Sequence, residues 1–235
     1  MLDKNIYTSS NRNCPEDKDL PVCNVLKDNY LLGGCANVGV NLSNLGHEVH
    51  LLSYIGKDKN SIVIEDLLDK YNIYKTYLIK LDRPTITKNR VFLNNKLICR
   101  FDEEDSSDVD FSYFDIKNCF KEIKFDTIVI SDYAKGVINK SGLPKFLISK
   151  SNEFNIPIII DPKPKNIEFY KNSSIIKANF EEISSMYYQS TQEKIKLNEE
   201  HLEKASRFLS QKFNIKYLIT SLASEGIYIF NKDDN

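Results

Sequence analysis

Four short apolar runs, each ending on a polar residue, constrain this chain more than any other feature. They are "FDTIVISD", "IPIIID", "SSIIKAN" and "IKYLITS". Runs of this length, rich in Ile and Val, read as buried strands. Helical patterns stand between them, at about 139–153, 180–188 and 197–213. Strands alternating with helices imply a parallel sheet covered on both faces, in an α/β fold. In such sheets ligands bind outside the carboxyl ends of the strands. Asp132, Asp161, Asn179 and Ser221 fall at those ends. Each alone serves equally well to cap the following element. Four in succession mark a candidate site.

The preceding half is less regular. "EVHLLSYIG" reads as a strand and "NSIVIEDLLDKYN" as an amphipathic helix. "ITKNRVFL" and "LICRF" flank "NNK", a hairpin signal. This hairpin alternates, carries charges, and reads as a small β-excursion from the main sheet. The segment "LPVCNVLKDNYL", around 20–31, is expected to pair with it. Such a flap is a lid over a ligand, an oligomer contact, or both.

"LLGGCANVGVNLSNLGHEV" places two glycines ahead of a helix from about Cys35 to Leu45. Val38, Leu42 and Leu45 form one stripe, read as the core face. Ala36, Gly39 and Ser43 form a stripe of small residues, and Asn37, Asn41 and Asn44 a polar one. Gly33, Gly34 and Asn37 can offer backbone N–H groups and a side-chain amide to a hydroxylated or anionic ligand. The same glycines also suit a plain tight turn. The stretch is neither a Walker A loop, since Val40 and Asn41 replace Lys and Ser/Thr, nor a G-x-G-x-x-G fingerprint. The missing fingerprint counts against a dinucleotide-dependent oxidoreductase.

The totals exclude several classes. A net charge of -1, with scattered Lys and Arg, gives no basic nucleic-acid face. No apolar run approaches membrane-spanning length. The polar opening "MLDKNIYTSSNRNCPEDKDL" does not read as a signal peptide. Five scattered cysteines without a C-x-x-C pair suggest reduced thiols in a cytoplasmic protein, with no metal cluster.

"GGCANVGVNLSNLG" resembles the first signature of the ribokinase-like (PfkB) carbohydrate kinases. "RPTITKNRVF", "ICRFDEED", "SDYAKGVI", "IDPKPKNIEFY", "KANFEEI" and "ITSLASEGI" follow in order. They resemble motifs of the D-glycero-β-D-manno-heptose-7-phosphate kinases, including the kinase half of the bifunctional heptose kinase/adenylyltransferases. The resemblance implies a three-layer αβα fold with a mostly parallel sheet and a β-lid. It also implies transfer of the ATP γ-phosphate, with Mg²⁺, to make the 1,7-bisphosphate on the route to the ADP-heptose of lipopolysaccharide. Asp3, Gly33, Gly34 and Asn37 match sugar-binding positions. Lys88, Arg90 and Arg100 are candidates for the substrate phosphate, and Lys135 for the cleft wall. Lys163, Asn179, Glu182, Ser221 and Gly226 match the nucleotide side, with Glu182 ordering Mg²⁺ through water. A homodimer through the lid follows by analogy.

The pattern also departs from the family. Lys177-Ala178 replaces Thr-Pro, Pro164 replaces a Gly, and Ser221 replaces a Thr. "MLD" resembles the last residues of the family's opening strand, whose Gly-Asp just ahead is missing, and the family's G-A-G-D box has no counterpart here. The expectation is one incomplete kinase domain over 1–235, truncated at both ends, with a lid from about 10–31 and 84–102. The general-base Asp is expected beyond residue 235, leaving this chain alone without kinase activity. Another sugar kinase, acting on ribose, fructose or a nucleoside, or a non-catalytic sugar- or nucleotide-binding remnant are the competing readings.

Overall fold

A computed structural model describes residues 1–14, 16, 20–110 and 113–234. They form two compact units, Met1–Asp105 and Ser106–Asn235. The first contains β1 (Leu2–Cys14), β2 (Leu20–Leu32), α1 (Cys35–Asn44), β3 (Val49–Gly56), α2 (Lys59–Lys70), β4 (Ile73–Leu81), β5 (Thr87–Leu93) and β6 (Lys96–Glu103). A four-stranded sheet has the order β2-β1-β5-β6, and β3 pairs in parallel with β4. The β5–β6 turn puts Asn94 and Asn95 at φ 48° and 65°. Asn tolerates the left-handed region that tight hairpins require.

Two expectations are corrected here. Residues 20–31 do not pair with the 84–102 hairpin; β2 pairs antiparallel with β1, and β1 pairs in parallel with β5. The strand holding Asp3 does not end there but runs on to Cys14. Its polar, weakly alternating sequence hides it, because strand pairing supplies hydrogen bonds that composition does not reveal. Of the expected lid segments, residues 15 and 17–19 lie outside the described residues.

The core of this unit joins Leu2, Leu32, Leu51, Ile55, Ile64, Leu68 and Ile73. Ile64 and Leu68, one helical turn apart on α2, are almost wholly buried. α1 meets this core through its small stripe, which corrects the reading of its core face. Ala36 and Gly39 are buried, whereas Leu45 is 74% exposed. A Cβ on Gly39 would stand 3.4 Å from Ile73 and 3.5 Å from Val49. The Ser43 hydroxyl donates to the Tyr71 carbonyl at 2.6 Å. Small residues win because they let the helix backbone approach the strands closely, which larger side chains prevent.

The second unit contains α3 (Tyr113–Glu122), β7 (Ile128–Ser131), α4 (Leu143–Phe154), β8 (Ile158–Asp161), β9 (Ile175–Asn179), α5 (Phe180–Thr191), α6 (Glu199–Phe213), β10 (Tyr217–Ser221) and β11 (Ile227–Asn231). Its sheet runs β11-β10-β9-β8-β7, parallel except for β11. One face is deeply buried through Ile130, Ile158, Ile160, Ile176, Ala178, Leu218 and Phe230. The other is more open, with Val129, Ile227 and Ile229 exposed, so burial alternates along strands whose sequence is almost continuously apolar. α4 starts later than the 139–153 pattern suggests. The Asn139 side chain donates to the carbonyls of Val109 and Gly136, at 2.8 and 2.6 Å, and Gly142 forms the N-cap.

These contacts set a contrast that urea unfolding checks. Leu68→Ala is expected to cost about 2–5 kcal/mol, as buried leucines do. Leu45→Ala is expected to stay within about 0.5 kcal/mol.

Candidate functional site

Strand register assembles the first cluster. In β1 and β5, Asp3 stands opposite Lys88 and Asn5 opposite Arg90. In β5 and β6, Lys88 stands opposite Asp102 and Arg90 opposite Arg100. Side chains alternate along a strand, so these residues share one face of the sheet. The opposite face carries the buried Leu2, Thr87 and Asn89. Burial of one face thus fixes which residues stand on the other.

On that face Arg90 Nη1 donates to Asp3 Oδ1 at 2.9 Å, and each side chain is about a quarter exposed. Gly33 closes the other side of the carboxylate. A Cβ there would collide with Asp3 Oδ2 and lie 3.0 Å from its Cγ. Gly34, at φ 60° and ψ -138°, is the N-cap of α1. Glycine alone adopts that conformation at little cost. The helix start has no side-chain cap and no acidic residue in its first turn. Asn37 is exposed in that turn. Two of the backbone N–H groups expected to meet a ligand are already used, Gly33 donating to the Met1 carbonyl at 3.0 Å and Asn37 to the Gly34 carbonyl at 3.1 Å. The helix start still presents the positive end of a dipole, suited to hydroxyls or an anion.

The structure therefore brings Asp3, Gly33, Gly34, Lys88 and Arg90 into one construction in the first unit. Arg100 is committed elsewhere: its Nε and Nη2 grip Asp102 at 2.9 and 2.6 Å, and this hydrogen-bonded carboxylate raises its pKa further. Asn5 went unnoticed in the sequence. Its Oδ1 is buried and accepts no hydrogen bond among the described residues. It lies two residues after Asp3, so alternation would have found it once a strand was assigned there.

The second cluster lies at the carboxyl ends of β8, β9 and β10. Register places Ser221 opposite Asn179. Asn179 Oδ1 accepts from the Glu182 N–H at 2.9 Å, and Glu182 Oε2 accepts from the Asn179 N–H at 3.1 Å. This reciprocal capping box starts α5. Glu182 Oε1 accepts from Lys163 Nζ at 3.1 Å. That hydrogen bond holds the Lys163 ammonium above its ordinary pKa. Burial pushes the Asp161 carboxyl up, against the pull of Lys177 at 3.8 Å. Ser221 Oγ donates to the Ala178 carbonyl at 3.5 Å. Gly226 closes the β10–β11 turn at φ 98°. Lys135 stands, half-buried, in the turn after β7, also in the second unit.

Asp132, a strand-end candidate, is a structural carboxylate. It is 2% exposed and accepts from Tyr170 Oη and Asn166 Nδ2, both at 2.7 Å. The N–H groups of Lys163 and Ala134 add bonds at 3.3 and 2.6 Å. A buried charge is tolerated when donors surround it in this way. The network fixes the loop that carries Lys163. Burial and the Asp132 charge push the Tyr170 phenol well up. Tyr170→Phe is expected to lower stability by about 1–3 kcal/mol, because it strips a donor from a buried carboxylate. Thermal unfolding of the variant checks this.

Magnesium and ATP can be tested against these groups. Among the described residues no group of three or more His, Cys, Asp or Glu could hold a metal directly. Each Glu182 oxygen accepts one hydrogen bond and keeps further acceptor capacity. That fits a carboxylate acting through water on a cation that keeps much of its hydration shell. Lys163 and the Asn179 side chain suit phosphate oxygens.

Comparisons with known proteins place the chain by sequence and by fold. The chain is 32% identical over 234 residues to the "Bifunctional protein HldE" of Campylobacter jejuni strain RM1221, covering 99% of this chain and 48% of that protein. It is 33% identical over 236 residues to the protein of the same name from a Nitratiruptor species, again covering 99% and 48%. The chain thus spans about half the length of these curated relatives. Arabidopsis thaliana ribokinase, solved with ribose and ATP, superposes at a TM-score of 0.72 with 14% identity, over 100% of this chain and 73% of that one. Thermotoga maritima ribokinase gives 0.69 with 18% identity, over 99% and 73%. The fold is ribokinase-like. The family model described as "pfkB family carbohydrate kinase" matches residues 8–235, and the chain belongs to that family.

Proposed function

We propose that this chain is the sugar-phosphate kinase part of an enzyme that phosphorylates D-glycero-β-D-manno-heptose 7-phosphate with ATP. The product is the 1,7-bisphosphate, on the route to ADP-heptose and the lipopolysaccharide core, and the setting is the cytoplasm. The observation that carries this reading is the Asp3 carboxylate held between Gly33 and Arg90, with Lys88 beside it in register. An anionic acceptor for sugar hydroxyls and two cations for a phosphate then share one face. The "PTITKNR" stretch that supplies both cations supports the heptose-phosphate substrate over an unphosphorylated sugar.

In this reading Asp3 accepts from sugar hydroxyls, Gly33, Gly34 and Asn37 line the sugar, and Lys88 and Arg90 hold its phosphate. Arg90 has a planar fork that suits bidentate contact, and Lys88 adds a point charge. Arg100, with Nε and Nη2 on Asp102, has its Nη1 donors to add to them, and Lys135 lines the cleft. Lys163, Asn179, Ser221 and Gly226 face the nucleotide. Magnesium, when bound, neutralises phosphate charge during transfer, with Glu182 ordering its water shell. No residue of this chain is assigned as the general base.

Isothermal titration with the heptose 7-phosphate tests the substrate. Lys88→Ala and Arg90→Ala, made separately, are each expected to weaken binding about tenfold or more, the scale of a charge-assisted contact. Unchanged affinity in both variants overturns the assignment.

The partner proposed for the lid is a second copy of this chain. Both edge strands of the four-stranded sheet carry exposed apolar side chains, Val25 and Leu26 on β2 and Leu97, Ile98 and Phe101 on β6. Among the structural neighbours is a phosphofructokinase-2 from Escherichia coli described as a tetrameric inhibited form. Light scattering is expected to give twice the 27.2 kDa chain mass, and Phe101→Lys with Val25→Lys to return it to one. A monomeric parent chain rules the lid contact out.

A further inference from the structure

The strand that carries Lys88 and Arg90 is gripped at its start by a single carboxylate. Asp58 follows β3 and is the N-cap of α2. Its Oδ1 accepts from the Ser61 N–H at 2.9 Å and from the Thr85 hydroxyl at 2.7 Å. Its Oδ2 accepts from the Thr85 N–H at 2.6 Å. The Thr85 hydroxyl in turn accepts from the Gly56 N–H at 2.9 Å. A Cβ on Gly56 would collide with the Arg83 carbonyl and stand 2.6 Å from Thr85 N, so residues 83–85 lie directly on the backbone of β3.

The grip extends outward. Asn60 Nδ2 donates to Thr87 Oγ1 at 3.0 Å, and that hydroxyl donates to the Thr85 carbonyl at 2.9 Å. Thr85 and Thr87 are buried. The Ile86 carbonyl accepts from the Leu2 N–H at 2.8 Å, and from there Thr87 faces Leu2 and Lys88 faces Asp3. A continuous run of hydrogen bonds and strand pairing therefore links Asp58 to Asp3. A slip of one residue in β5 would turn Lys88 and Arg90 to the opposite face.

We propose that Asp58 is a positioning residue for the sugar-phosphate face: by clamping Thr85 it sets the register in which β5 meets β1. Hydrogen bonds to an ionised acceptor are the strong ones, and Thr85 supplies two of them to this carboxylate. Burial alone would raise the Asp58 carboxyl. The Thr85 bonds, with the Ser61 and Asn60 N–H groups, outweigh it and hold the carboxyl below its ordinary value. The link to substrate rests on the reading given under "Proposed function"; the register clamp does not.

Two variants of the 235-residue chain test it by nuclear magnetic resonance and amide exchange. Asn is as good an N-cap as Asp, so Asp58→Asn keeps the start of α2 while weakening the hold on Thr85. Thr85→Val leaves the Asp58–Ser61 cap in place, removes the bridging hydroxyl, and serves if Asp58→Asn does not fold. The expected result in the folded protein is faster exchange at residues 86–90 than in the parent, by about tenfold or more, with α2 unchanged. The Arg90 guanidinium is expected to lose its restricted rotation against Asp3. A lower melting temperature with Arg90 and residues 86–90 unaltered overturns the proposal, because a merely structural residue gives that pattern.

Titration with the heptose 7-phosphate then separates the two readings. Thr85→Val is expected to bind about tenfold more weakly than a binding parent chain, and equal affinity overturns the positioning role. A parent chain that does not bind this sugar sets aside the proposed substrate, and the exchange and Arg90 measurements still decide the role of Asp58.

Discussion

A carboxylate pressed against a backbone that has no side chain is the contact on which the polar face of the first unit depends. Asp3 fits beside Gly33 because nothing occupies the space of a Cβ, and Arg90 supplies the opposite charge at 2.9 Å. Full burial of such a pair would carry a large desolvation cost, and full exposure would leave it screened by water. About a quarter exposed on each side, the pair keeps its geometry and still meets solvent. A ligand hydroxyl can therefore replace water at the carboxylate without first breaking a buried ion pair. The neighbouring helix start, with no side-chain cap, adds the positive end of a dipole beside this acceptor.

The second unit handles charge by the opposite means. Asp132 is sunk below the sheet end, and its hydrogen-bond donors are the neutral side chains of Tyr170 and Asn166 and two backbone N–H groups. Lys163 gives it only a backbone N–H, and its ammonium stays at the rim, held by Glu182. A buried, neutral-donor network below and a partly exposed ion pair above thus hold the two ends of the same loop. Tyr170 belongs wholly to the network below, buried and tied to Asp132.

Much of this was legible in the residues themselves. β7 to β10 and their polar ends follow from Ile-rich runs that stop at Ser-Asp, Asp, Asn and Ser, because parallel strands need apolar side chains and end where the backbone meets solvent. The capping box of α5 was readable from Asn179 and Glu182, three residues apart, since their geometry is local. What escaped was set by partners distant in the chain. β1 is polar and owes its existence to pairing with β2 on one side and β5 on the other. The face of α1 that turns inward was misjudged because Leu45 looks like core by hydrophobicity, whereas close approach to Val49 and Ile73 selects Gly39. Asp58 carries no signal in the sequence, and only the return of the chain at Thr85 gives this cap of α2 a second duty.

The junction between β9 and α5 has no loop. β9 ends at Asn179 and α5 begins at Phe180. The strand end, the helix cap and the two polar groups of the second cluster are therefore one covalent object. Each residue added to an α-helix turns it by a fixed angle, with 3.6 residues per turn. An insertion or deletion of a single residue at this junction would swing Glu182 away from both Asn179 and Lys163 at once. Length variation, which loops elsewhere absorb freely, is closed to this point of the chain, while point substitution on the exposed helix face, at Glu181 and Gln189, remains open to it.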